Sequence, residues 1–114
     1  MKNTDWSSSI DVAVTVCDRD GVILEMNEKS KATFAKDGGG ALVGRSLFGC
    51  HGPASAALIR SLIAEGRTNA YTIEKGGVRK LIYQTPWYDG GAVAGLVEMS
   101  IVLPDAMPHH VRTG

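Results

Sequence analysis

The stretch whose reading decides the fold is VRKLIYQTPWYDGGAVAGLVEMSIVL, residues 78–103. Its first arm is rich in valine, isoleucine, tyrosine, threonine and tryptophan, residue types that suit a pleated, half-buried surface. Asp89-Gly90-Gly91 follows, and its glycines supply the positive φ that a tight hairpin turn needs. In the second arm Glu98 and Ser100 alternate with Val97, Met99 and Ile101, the period-two pattern of a half-buried strand. The rest of the chain must then cover one face of this hairpin.

Working back from the hairpin, Asn69 to Glu74 reads as a third strand that turns at Lys75-Gly76-Gly77. Ahead of it, Pro53 stands where a helix would begin and Gly66 where it would end. Between them Leu58, Ile59, Leu62 and Ile63 form an apolar stripe at helical spacing, with Arg60, Ser61 and Glu65 facing away. Residues 41–48 predict a compact, irregular or one-turn segment after the break at Asp37-Gly38-Gly39-Gly40. That glycine run lacks a following Lys-Ser or Lys-Thr, and no strand leads directly into it, so it does not read as a phosphate loop.

At the other end, Asp11 to Cys17, DVAVTVC, reads as a strand buried on both sides. Asp18-Arg19-Asp20-Gly21 turns the chain. Val22 to Met26 returns, with Glu25 outward and Leu24 and Met26 inward. Asn27 is a good N-cap for a helix from Glu28 to about Ala35, anchored by Phe34. The order predicts an α+β domain over residues 11–103, a five-stranded antiparallel sheet with helices on one face. Residues 1–10 form a polar segment holding Trp6 and Ile10. Residues 104–114 form a tail with two prolines and the adjacent His109 and His110.

The bulk numbers exclude several classes of function. With 114 residues the chain makes one domain. A formal net charge of 0 and a pI near 6.8 supply no basic field for nucleic acid or an anionic membrane. No apolar run approaches the roughly 20 residues of a membrane span. The first ten residues lack the apolar core of a signal peptide, so the expected compartment is the cytoplasm. Two cysteines, Cys17 and Cys50, do not make a disulfide framework, and CxxC is absent.

Taken together, the element order and certain residues resemble the PAS domain, a sensory fold of about this length. The matching residues are Asp18 and Gly21 in the first turn, Asn27 at the first helix, and Leu42-Val43-Gly44-Arg45-Ser46-Leu47 before the long helix. Thr85-Pro86, Asp89-Gly90 and Gly95 match the closing hairpin. More narrowly, IEKGGVRKLIYQTPWY and GLVEMSIVLPDAMPHHVR are similar to segments of short bacterial proteins made of one PAS domain. The resemblance implies that the last strand is central, between the first strand and the strand carrying TPWY, with a cavity between sheet and helices. With Glu98 and Ser100 outward, Gly95, Val97, Met99 and Ile101 would face the cavity. Ile82 and Gln84 would join them, and Leu81, Tyr83 and Thr85 would face away. These facings flip together if a bulge shifts the register.

The pocket-lining set expected on this basis is Thr15, Cys17, Met26, Phe34, Cys50, His51, Leu58, Leu62, Ile82, Gln84, Val97 and Met99. Each has a plainer reading beside it. Met26, Met99 and Phe34 can equally be core filling. A buried Gln84 needs partners, which a ligand, the backbone or trapped water could each supply. Cys50-His51 has the composition of a nucleophile or metal ligand near a helix start, against a structural cysteine and a helix-start histidine. It is the sole basis for reading a small enzyme. The expectation is therefore no enzymatic activity.

Cofactor identity stays open. Light-sensing relatives carry a reactive cysteine in a "GRNC" motif where this chain has Gly44-Arg45-Ser46-Leu47. Val97 stands where those proteins present a glutamine. Both departures disfavour a flavin adduct. Covalent c-type haem is disfavoured by the missing CxxCH. Non-covalent haem through His51 departs from the usual position of that ligand within the long helix. On the outer face, Leu81, Tyr83, Trp87 and Leu96, with Trp6 and Ile10, predict a homodimer interface. The leading expectation is a stand-alone sensory module that binds a small molecule or a signalling partner and acts through dimerisation. The alternative is a ligand-free interaction module.

Overall fold

A computed structural model describes residues 4–50 and 52–114, the side chain of Cys50 excepted. Five strands form one antiparallel sheet: β1 (Ala13–Asp18), β2 (Ile23–Met26), β3 (Asn69–Lys75), β4 (Val78–Asp89) and β5 (Ala92–Val102). Their order is β2-β1-β5-β4-β3, so the last strand is central as expected. Helices α1 (Glu28–Thr33) and α2 (Pro53–Glu65) lie between β2 and β3 in sequence, with one-turn 3-10 segments at Ala35–Asp37, Gly39–Leu42 and Phe48–Cys50. No helix among the described residues is long and apolar enough to cross a membrane.

The turns have the chemistry their glycines suggest. Asp89 pairs with Ala92 around Gly90 and Gly91, both at positive φ, and Gly76 and Gly77 close the β3–β4 turn in the same way. Pro53 opens α2, where its missing N–H costs nothing, and Gly66 closes it in the left-handed conformation at φ 65°.

One face of α2 buries Ala56, Ile59, Leu62 and Ile63 against Cys17, Ile23 and Leu96 of the sheet. Each large side chain so buried contributes about 1.5–3 kcal/mol. Leu58 does not belong to this face. A helical step of about 100° from Ile59 carries it to the edge, and it is 39% exposed.

Asn27 ties three elements together. Its Oδ1 accepts from the backbone N–H of Ser30, as an N-cap does, and from that of Val14 in β1. Its Nδ2 donates to the carbonyls of Ser7 and Val12. One side chain therefore caps α1 and fastens both β1 and the segment preceding it.

Two bulges set the facings of the sheet. Between β1 and β2 the register shifts after Val16, so Cys17 pairs with Ile23 while Thr15 pairs with Met26. Ile23 and Met26 turn inward, and Leu24, expected inward, is 43% exposed. Between β4 and β5, Tyr88 pairs with Val93 but Trp87 pairs with Gly95, leaving Ala94 as the extra residue. Beyond that point Gln84 stands opposite Glu98, and Thr85 opposite Val97. An unbulged hairpin would have put Val97 opposite Gln84. Glu98 therefore shares the inward face with Gln84, and Val97 and Met99 lie on the outer face. A side chain at Gly95 would collide with the backbone of Cys17 and Asp18, so only glycine fits the close approach of β5 to β1.

Candidate functional site

Between the sheet and the helical layer lies a partly open cavity of about 540 Å³. Thr15, Ile23, Met26 and Glu98 line it from the sheet side. Phe34, Asp37, Leu42, Arg45, Ser46, Leu47 and Gly49 line it from the helices and the connection that follows.

That connection is held as an extra rung of the sheet. Arg45 O accepts from Ile23 N at 2.9 Å, Gly44 N donates to Ile23 O at 2.7 Å, and Leu47 N donates to Gly21 O at 2.7 Å. The segment thereby brings Leu42, Arg45 and Leu47 over the cavity.

Two groups of polar side chains include the cavity-lining Thr15 and Glu98. Thr15 Oγ1 and Ser30 Oγ share a 2.6 Å hydrogen bond, linking β1 to α1. Both residues are buried. The second group crosses three strands: Asn69 Nδ2 donates to Gln84 Oε1 at 3.0 Å, and Gln84 Nε2 donates to Glu98 Oε2 at 2.7 Å. Gln84 is 3% exposed, and these two bonds meet its need for partners. Tyr71 is 44% exposed, and its partial burial pushes the hydroxyl pKa up, with the negative charge of Glu98 adding to it.

No sequence-family model matches the chain, and no curated protein matches it by sequence. Solved structures do match. The Aer2 receptor of Vibrio cholerae, described as a dual PAS-heme oxygen sensor, superposes with a TM-score of 0.65 at 18% identity, covering 82% of this chain and 95% of that one. The PAS domain of histidine kinase ThkA gives 0.64 at 18% identity, covering 81% and 99%. VqmA bound to DPO gives 0.64 at 19% identity, covering 86% of this chain and 54% of the longer one. The chain has the PAS fold. At these identities the likeness is one of fold.

Within this fold three expected pocket residues, Thr15, Met26 and Phe34, line the cavity. Cys17 and Leu62 are packed in the adjoining core, 1% and 0% exposed. Burial pushes the Cys17 thiol pKa up, against a smaller opposing effect of its hydrogen bond with the Leu96 backbone, so it is not an activated nucleophile. Ile82 and Gln84 are buried and face inward as expected. Leu58 is corrected to the exposed edge of α2. Val97 and Met99 are corrected to the outer face, where they border a second cavity of about 380 Å³ beside Trp6. Glu98 is thus the polar residue that the central strand presents to the main cavity, and Val97 lies on the other face. His51 and the side chain of Cys50 lie outside the described residues. No group of three metal-ligating side chains occurs among the described residues.

Of the expected interface residues, Leu81 and Tyr83 do face outward, with Tyr83 38% exposed. Trp87 is half-buried, its indole N–H donating to Cys17 O at 2.9 Å. Trp6 is 58% exposed and Ile10 half-buried. Leu96 is a correction: it pairs with Cys17, faces the helices and is 1% exposed. Sequence reasoning missed Ile23, Leu42, Leu47, Asp37, Arg45, Ser46 and Glu98. The signal for Leu42 and Leu47 was present in LVGRSL, two leucines flanking a polar turn.

Proposed function

We propose that this PAS domain is a sensory module that takes up a small molecule between sheet and helices and passes the change on through dimerisation. The observation that carries the reading is the cavity of about 540 Å³, apolar along Ile23, Met26, Phe34, Leu42 and Leu47, with a few placed polar groups. That size and mixture match sites for small organic ligands. The proteins it superposes on include one described as an oxygen sensor and one solved with DPO bound, which makes a ligand-driven role the natural one for this cavity.

Dimerisation is proposed through the outer face, where Leu81, Tyr83, Val97, Met99 and Ile101 are half-buried or exposed on adjacent strands. A ligand that favours one packing of this face would bias the dimer. The same apolar face favours a second reading, a ligand-free association module. Native mass spectrometry and an absorbance scan of protein purified without stripping separate the two. Added mass or a chromophore supports the sensor; a clean apoprotein that dimerises tightly supports association alone. A monomer by light scattering at tens of micromolar overturns the dimerisation step in both.

A further inference from the structure

We infer that the ligand of the main cavity carries a positively charged, hydrogen-bond-donating nitrogen, an amidine or protonated amine on a small apolar body, received by Glu98. The inference rests on the cavity being the ligand site. Glu98 is half-buried on the inward face of the central strand, where a carboxylate loses part of its hydration and gains from hydrogen bonding or pairing. Among the described residues Glu98 receives one side-chain hydrogen bond, from Gln84. A carboxylate has about four acceptor sites, so most of its capacity remains. None of the ion pairs among the described residues includes Glu98.

Its cross-strand neighbour Thr15 shares its hydroxyl with Ser30. Gln84 is oriented by Asn69, which holds its amide N–H toward Glu98 and steadies the carboxylate at the cavity wall. Among the other lining residues the formal charges of Asp37 and Arg45 offset each other, so Glu98 sets the net sign of the site. Charge-assisted hydrogen bonds to such a carboxylate are about twice as strong as neutral ones. Ile23, Met26, Phe34, Leu42 and Leu47 supply apolar wall against which a cation's body can pack.

The test uses three probes of one shape and different charge, benzamidine, benzamide and benzoate, titrated into the full chain. Backbone and methyl resonances of Ile23, Met26 and Leu42 report cavity binding. Benzamidine is expected to bind at least about tenfold more tightly than benzoate, with benzamide between them. In E98Q, which keeps an acceptor for Gln84, the three should converge to within about threefold. The order on wild-type protein is decisive by itself, so the test stands even if E98Q folds poorly. Equal binding of the three, or tightest binding of benzoate, overturns the cationic class while leaving the cavity as a binding site. Absence of any shift at these residues with all three probes overturns the cavity reading as well.

Discussion

Gln84 and Glu98 face each other across the two central strands of the closing hairpin, with the amide nitrogen of one 2.7 Å from the carboxylate of the other. Both lie on the sheet's inward face, where Glu98 is the acceptor for the Gln84 amide N–H and Asn69 donates to the Gln84 carbonyl. Replacing Glu98 with leucine alone strands a buried amide N–H, and a cost of about 2 kcal/mol is expected. Replacing Gln84 with leucine alone leaves the carboxylate without its one side-chain donor, at a similar cost. The double variant Q84L/E98L removes both needs at once, and half-exposed Asn69 can turn to water. Urea denaturation of the four proteins should therefore show the double variant more stable than the sum of the singles implies. Simple additivity would mean that the 2.7 Å contact carries no coupling.

Asn27 concentrates four hydrogen bonds in one buried side chain. Alanine there leaves the N–H groups of Val14 and Ser30 without the acceptor they share, and a loss of about 3 kcal/mol is expected. Asn27→Asp separates the two halves of the role. The aspartate keeps the acceptor for Val14 and Ser30 but loses both donors to Ser7 and Val12. Hydrogen exchange should then show the Ser30 amide still protected in N27D and exposed in N27A. An equally unprotected Ser30 in both would show that the cap contributes nothing separable.

The elements themselves were legible because their ends are marked: Pro53 and Gly66 bracket α2, Asn27 caps α1, and paired glycines make both hairpin turns. The strand order followed from the resemblance and holds. What stayed hidden was the facing of β5. Alternation separates Val97, Met99 and Ile101 from Glu98 and Ser100, but it does not say which set is inside when both faces of a central strand are partly covered. The decision lies in one extra residue, Ala94, which carries no charge or conformational signature of a bulge. That residue moves Glu98 into the site and Val97 and Met99 out of it. Leu58 failed for another reason, since a stripe read from leucine and isoleucine overlooked Ala56, the smaller residue that actually meets the core.

Cys17 gives the stability a dependence on alkaline pH. Burial raises its thiol pKa from the ordinary value of 9.0. Between that value and the higher native one, the unfolded chain has lost the proton that the folded chain keeps, so the folded state binds more protons and stability falls as pH rises. The contribution is whole below 9.0 and lost through the native pKa. Tyr71, raised from 10.0 chiefly by burial, adds a second fall at higher pH. Unfolding free energies measured from about pH 7 to pH 10 should decline for wild type, and less steeply for Cys17→Ala despite its lower starting stability. Parallel slopes would show that the buried thiol is not the group responsible.

Leu96 and Tyr83 provide opposite tests of the two sheet faces. Leu96 is 1% exposed against Cys17 and the helical layer, so Leu96→Ala opens a cavity in the core, at an expected cost of about 3 kcal/mol. Self-association of the folded protein should be unchanged by it. Tyr83 is 38% exposed on the outer face, where lysine can reach solvent at little cost to folding. If two copies meet through that face, Tyr83→Lys places two charges in the joint and should weaken the dimer at least about tenfold. Light scattering across a dilution series, read beside thermal melts, distinguishes the outcomes. A dimer insensitive to Tyr83→Lys would move the contact off this face.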